Sequence, residues 1–153
     1  MKNKHNRGFA LLISVIFMSV MLALGLSISS LGYKQQLLAS AAIESQQAFY
    51  AADAGIECAL YEDYVSDRFK SGGGMELFCG GSQFGIASST DASNVIYKSR
   101  LSLGDGARCA DITIYKNVSG TTYMFSQGYD VPCGTVETPG GARFVSRGIS
   151  SVY

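Results

Sequence analysis

The chain has 153 residues, 12 basic and 12 acidic side chains, 47% apolar and 16% charged residues. Zero formal net charge argues against a freely diffusing nucleic-acid binder, and the length admits about one domain, which excludes a large catalytic architecture. Much of the apolar content is locked in residues 9–33, which carry no formal charge, so the remaining globular core is small.

The first element in chain order is a basic leader, Lys2, Lys4, His5, Arg7 and Gly8, followed without a spacer by an apolar run from Phe9 to Tyr33. At 1.5 Å per residue, about 20 such residues cross the roughly 30 Å of a bilayer core, so the run is long enough for a membrane helix. The flanking cations predict a cytoplasmic leader, with everything after Tyr33 on the other side. An ordinary signal-anchor fits this pattern. A secretory signal cut near residues 39–42 fits it less well, because the apolar region exceeds the usual span of about 7–15 residues.

A basic leader ending in Gly8, with Phe9 and an apolar helix directly behind it, resembles the prepilin signal of type IV pilins and type II secretion pseudopilins. The resemblance implies removal of residues 1–8 by a membrane prepilin peptidase and methylation of the new N-terminal Phe9. Major pilins carry a glutamate at the fifth mature position, which here is Ile13, and no Asp or Glu occurs before Glu44. The chain then offers an ammonium at Phe9 to a neighbour's glutamate without requiring the reverse contact, since an unpaired charge in lipid is costly. That departure resembles minor subunits, the PilX-type minor pilins and the K-type pseudopilins of filament tips.

Residues 34–65 contain no proline and are rich in Ala, Gln, Leu and Glu, strong helix formers. Leu37, Leu38, Ala41, Ala48, Ala52, Ile56, Ala59 and Leu60 recur at helical intervals. One continuous helix of about 55 residues, roughly 80 Å long, is expected, its half from about Ala48 onward lying against a sheet. Ala39, Ser40, Ala41 and Ala42 permit close helix approach, and Gly25 and Gly32 are candidate points of local stretching. The run Gln47-Ala-Phe-Tyr-Ala-Ala-Asp-Ala-Gly-Ile-Glu57 is similar to the PilX-like N-terminal pattern. Phe49 and Tyr50 are expected to pack in a core or interface, anchoring helix to sheet.

Residues 66–94 mix small polar residues with glycine, including Gly72-Gly73-Gly74, and read as a connection with one short strand near residues 75–78. The triplet lacks the Lys-Ser/Thr that closes a phosphate loop. From Asn94 the periodicity becomes two. Val95, Tyr97, Ser99, Leu101 and Leu103 share one face of a strand. After a Gly104-Asp105-Gly106 turn, a strand over 108–118 puts Ala110, Ile112 and Ile114 on one face, with Cys109, Thr113 and Tyr115 on the other. Further strands are expected over 121–126 and 142–147, the last extending towards Tyr153 after a Pro139-Gly140-Gly141 turn.

The expected fold class is therefore α+β and pilin-like: a long N-terminal helix on a small antiparallel sheet of three or four strands. Its parts are a leader (1–8), a transmembrane and filament-core helix (9–33), an outer helical half (34–65), a glycine-rich connection (66–94) and a sheet domain (95–153). Cys58, Cys79, Cys109 and Cys133 allow three pairings. The favoured one joins Cys58 to Cys79 and Cys109 to Cys133, which divides them between two neighbouring loops without a crossing. Buried thiols are the alternative in a reducing compartment.

No catalytic or cofactor-binding constellation is visible, and no metal or cofactor is expected. The only histidine, His5, lies in the leader. Asp53 and Glu57, spaced i,i+4, read as solvated or subunit-contacting acids, and Ser14 and Ser19 as hydroxyls bonded back to helix carbonyls. Lys98, Arg100 and Arg108 form a basic patch only if strand pairing gathers them, and without the leader 9 basic residues face 12 acidic ones, so nucleic acid is not an expected partner. The resemblance implies other partners: prepilin peptidase, pilin or pseudopilin subunits, an inner-membrane assembly platform, and lipid before assembly. It also implies single-pass inner-membrane residence, an extracytoplasmic C-terminal domain and later entry into a pilus or pseudopilus. A single-span extracytoplasmic binding protein that never joins a filament is the competing reading.

Overall fold

The structure is a computed structural model describing residues 7–69, 76–91 and 93–153. It comprises two compact units, Met1–Ala41 and Ala42–Tyr153. Helix α1, Arg7–Tyr64, is unbroken through its whole length, as the proline-free, helix-forming composition predicts. Gly25 and Gly32 stay helical, with nothing near the position a side chain would occupy.

In the first unit α1 is uncharged from Phe9 to Tyr33, and its residues there whose burial is described are exposed. In the second, α1 packs on one sheet of six strands, β1 (Glu76–Cys79), β2 (Ser82–Thr90), β3 (Asn94–Leu103), β4 (Arg108–Asn117), β5 (Thr122–Tyr129) and β6 (Ser146–Val152), with a short helix α2 (Cys133–Glu137). Spatial order equals chain order and every neighbouring pair is antiparallel. The sheet is open, with β1 and β6 at its edges.

The α+β, pilin-like architecture expected from the sequence is the one observed, but the sheet is larger. The residues read as a connection supply the expected short strand, β1, and in addition the nine-residue β2. Gly80 and Gly81 both have positive φ and close a two-residue hairpin between Cys79 and Ser82, a turn that requires this conformation twice. Beyond it, the small residues of β2 pair through their backbone with β3. The last strand starts at Ser146 rather than Ala142. Residues 139–145 are instead held as a turn and link: Ala142 N–H donates to the Pro139 carbonyl, and Val145 N–H to Asp130 Oδ1 at 2.8 Å.

The core lies between α1 and the sheet. Ala48, Ala51, Ala52, Ile56 and Ala59 from the helix meet Leu77, Tyr97, Leu101, Ala110, Ile112, Ile114 and Met124 from the strands. The expected alternation in β3 and β4 is present, with Tyr97 and Leu101 and then Ala110, Ile112 and Ile114 turned inward. The helix and the sheet approach closely where Gly55 of α1 and Gly128 of β5 lie at their interface. A methyl group at Gly128 of β5 would sit 2.2 Å from the Ala48 carbonyl oxygen and the Ala52 nitrogen, and one at Gly55 would sit 2.5 Å from Ser126 Oγ. Phe49 and Tyr50 do not anchor the helix to the sheet. They are 47% and 54% exposed and stack edge to face with each other, because backbone-close packing through alanines leaves no space for rings beneath α1.

Candidate functional site: the exposed apolar half of the first helix

The expected processing and assembly residues lie at the start of α1. Lys2, Lys4 and His5 fall outside the described residues, whereas Gly8 and Phe9 are helical. Phe9 is 70% exposed and Ile13 50%. The exposure continues through Leu22, Leu26 and Leu31 to Leu37 and Leu38. From Phe9 the helix is long and apolar enough to cross a membrane, and none of its most apolar window is buried within the protein. A helix hydrophobic on every side is in equilibrium with lipid or other protein, not water.

Three hydroxyls of this segment are satisfied by the helix itself. Ser14 Oγ donates to the Leu11 carbonyl at 2.8 Å, Ser19 Oγ to Ile16 at 2.8 Å and Ser27 Oγ to Ala23 at 2.9 Å. Such back-bonding removes the cost of an unsatisfied hydroxyl in a medium without water. It also occupies Ser14 and Ser19 as hydrogen-bond donors, in line with their structural reading.

Further along α1, Asp53 is half-buried and Glu57 exposed, and among the described residues no group of three metal-ligating side chains occurs. The proposed basic patch does not form. Lys98 and Arg100 lie on the sheet face away from α1, and Arg108 by alternation on the opposite face. Arg100 is neutralised: its Nε and one Nη bind both oxygens of Asp111 at 2.6 and 2.8 Å, and its other Nη binds Glu137 at 3.0 Å. The Asp111 hydrogen bond raises the guanidinium's already high pKa against the opposing effect of burial. Cys58 is bonded to Cys79, stapling α1 to β1, and Cys109 to Cys133, stapling β4 to α2, with Cα separations of 5.7 and 4.8 Å.

Sequence reasoning missed the acids at the end of α1. Glu62 and Asp63 are each 3% exposed. Glu62 pairs with Arg68. Asp63 Oδ2 accepts from Lys116 Nζ at 2.8 Å and from the Tyr153 hydroxyl, and Oδ1 lies 2.6 Å from Nζ in an ionic contact without hydrogen-bond geometry. The signal was present in the spacing: Ala52, Ile56, Ala59 and Asp63 continue one helical stripe, so Asp63 had to point into the sheet.

Comparison with protein-family models, curated proteins and solved structures finds no match to this chain. Fold and site together define its class: a small α+β protein with one N-terminal apolar helix of membrane-spanning length and a disulfide-stapled antiparallel sheet.

Proposed function

We propose that the chain is a minor pilin-like or pseudopilin-like structural subunit. It is processed by prepilin peptidase after Gly8, methylated at Phe9, and contributes to assembly, initiation or the tip of a type IV pilus or type II secretion pseudopilus. The observation that carries this reading is α1: one uninterrupted helix whose first part is exposed and apolar on all sides and whose later part forms the core of an antiparallel sheet domain. Such a helix exchanges lipid contact for contact with equivalent helices without refolding the domain that follows. Ile13 in place of an acid removes the need for a reciprocal buried ion pair, which suits a subunit present in few copies. No catalytic role is part of the proposal. Its partners are the peptidase, other pilin-type subunits and the inner-membrane assembly platform, and its domain Ala42–Tyr153 is extracytoplasmic.

Intact mass and N-terminal peptide analysis of protein recovered from native membranes tests this. A chain starting at methylated Phe9 is expected, and Gly8→Leu should retain the leader while still inserting in the membrane. Retention of residues 1–8 in the wild type, or normal processing of Gly8→Leu, would overturn the proposal.

A further inference from the structure

Helix α1 stops at Tyr64, and there its last residues, the ends of β2 to β5, Phe69 and Tyr153 line an open cavity of about 950 Å³. Along β2, β4 and β5 the helix-side residues change character towards this end, whereas β3 keeps the apolar Val95 there. Ile86 is followed by Ser88 and Thr90 in β2, Ile112 and Ile114 by Lys116 in β4, and Met124 is preceded by Thr122 in β5. Hydroxyls and an ammonium thus stand where continuation of the core would place apolar side chains.

The charges of the wall cancel. Among the described residues lining the cavity, Asp63 and Lys116 are the ionic ones, and they pair with each other. The Tyr97 hydroxyl donates to the Phe69 carbonyl at 3.5 Å and the Tyr153 hydroxyl to Asp63. Burial, and then the nearby Asp63 carboxylate, raise the pKa of both phenols and keep them neutral. At the mouth, the 75% exposed Tyr64 ring lies 5.7 Å from that of Tyr153.

We propose that this cavity is a binding site for a neutral, hydroxyl-rich ligand of the saccharide class. A charged ligand would bring an unmatched charge against a closed ion pair, which is costly at a buried site. An apolar ligand would strip water from Ser88, Thr90 and the ion pair without replacing their hydrogen bonds. A sugar does neither. Its hydroxyls exchange hydrogen bonds with Ser88 and Thr90, and its C–H face packs on the tyrosine rings at the mouth. The volume falls in the range of about 300–1,000 Å³ common for small-ligand sites. This site is independent of whether the chain enters a filament.

The test uses the full chain in a zwitterionic, sugar-free detergent, since glycosidic detergents would compete. Triacetylchitotriose, cellotriose and maltotriose are titrated by saturation-transfer NMR and calorimetry, beside anionic sialyllactose and an N-acetylated, C-amidated Ala-Ser peptide. The same neutral glycans are also presented on a surface. Saturable binding of at least one neutral glycan is expected, weakened about tenfold or more in Ser88→Val/Thr90→Val and in Tyr64→Ala. Neither variant touches the ion pair, and circular dichroism verifies their fold. Binding of the free trisaccharide assigns a soluble sugar as ligand, and binding only on the surface assigns a displayed glycan. Absence of neutral-glycan binding in both formats, preference for sialyllactose or the peptide, or undiminished binding by both folded variants would overturn the proposal.

Discussion

Among the described glycines, Gly128 meets the helix backbone most closely. The methyl group of Gly128→Ala would overlap helix backbone atoms that cannot rotate away, so the variant is expected to lose about 3 kcal/mol, at the upper end of overpacking effects. Gly25→Ala, whose methyl meets nothing within 4 Å, should leave denaturant unfolding of the sheet domain unchanged. Equal midpoints for the two variants would show that α1 does not seat on β5 as described. At the other end of the interface, Lys116→Met removes the cation from a carboxylate that is 3% exposed. The expected loss is about 3 kcal/mol, because an orphaned buried charge costs more than the pair contributes. Removal of the Tyr153 hydroxyl in Tyr153→Phe should cost less, about 1 kcal/mol, and the same denaturation series compares them.

Among the elements, the Cys58–Cys79 bond joins the last turns of α1 to an edge strand of four residues that has β2 as its only strand neighbour. Cys58→Ser/Cys79→Ser closes no loop in the unfolded chain, and the expected loss is about 3 kcal/mol. Hydrogen exchange should show it first in β1, and unaltered protection of β1 in that variant would contradict the stapling role. The elements also differ in how legible they were. The stripe Ala48, Ala52, Ile56, Ala59 and the alternation in β3 and β4 are periodic patterns read from side chains alone, and both reappear as buried faces. Strand β2 was hidden because Ser, Ala, Thr and Gly side chains carry almost no periodic signal, its order coming instead from pairing with β3. Phe49 and Tyr50 misled because size suggests an anchor, whereas the seat built by Gly55 and Gly128 accepts only alanines. Asp63 was passed over because a carboxylate within a polar helix end reads as solvated. Its partner Lys116 is 53 residues away, a pairing that no local pattern contains.

For the whole molecule, the phenols make stability depend on alkaline pH. Desolvation raises the pKa of Tyr97, Tyr129 and Tyr153, reinforced by the carboxylates of Asp63 for Tyr97 and Tyr153 and of Asp111 for Tyr129. The folded protein therefore holds these protons more tightly than the unfolded chain. Their contribution is complete below the ordinary tyrosine value of about 10 and is lost as the pH climbs from there through the raised folded values. Thermal melting followed from neutral pH to above 10 should fall on the alkaline limb, less steeply in Tyr153→Phe, and an unchanged slope in that variant would remove Tyr153 from the account. The strict match between strand order and chain order has a kinetic meaning as well. From β1 to β5 each strand finds its partner across a short loop, so this part of the sheet can lengthen one hairpin at a time as the polypeptide emerges, whereas β6 returns to β5 only after the longer connection that carries α2. A contact of longer range is the one in which the hydroxyl of Tyr153 reaches the carboxylate of Asp63. That bond ties the segment just past β6 to the last turn of α1, and it forms once β6 has docked beside β5, as a latch on that edge of the sheet.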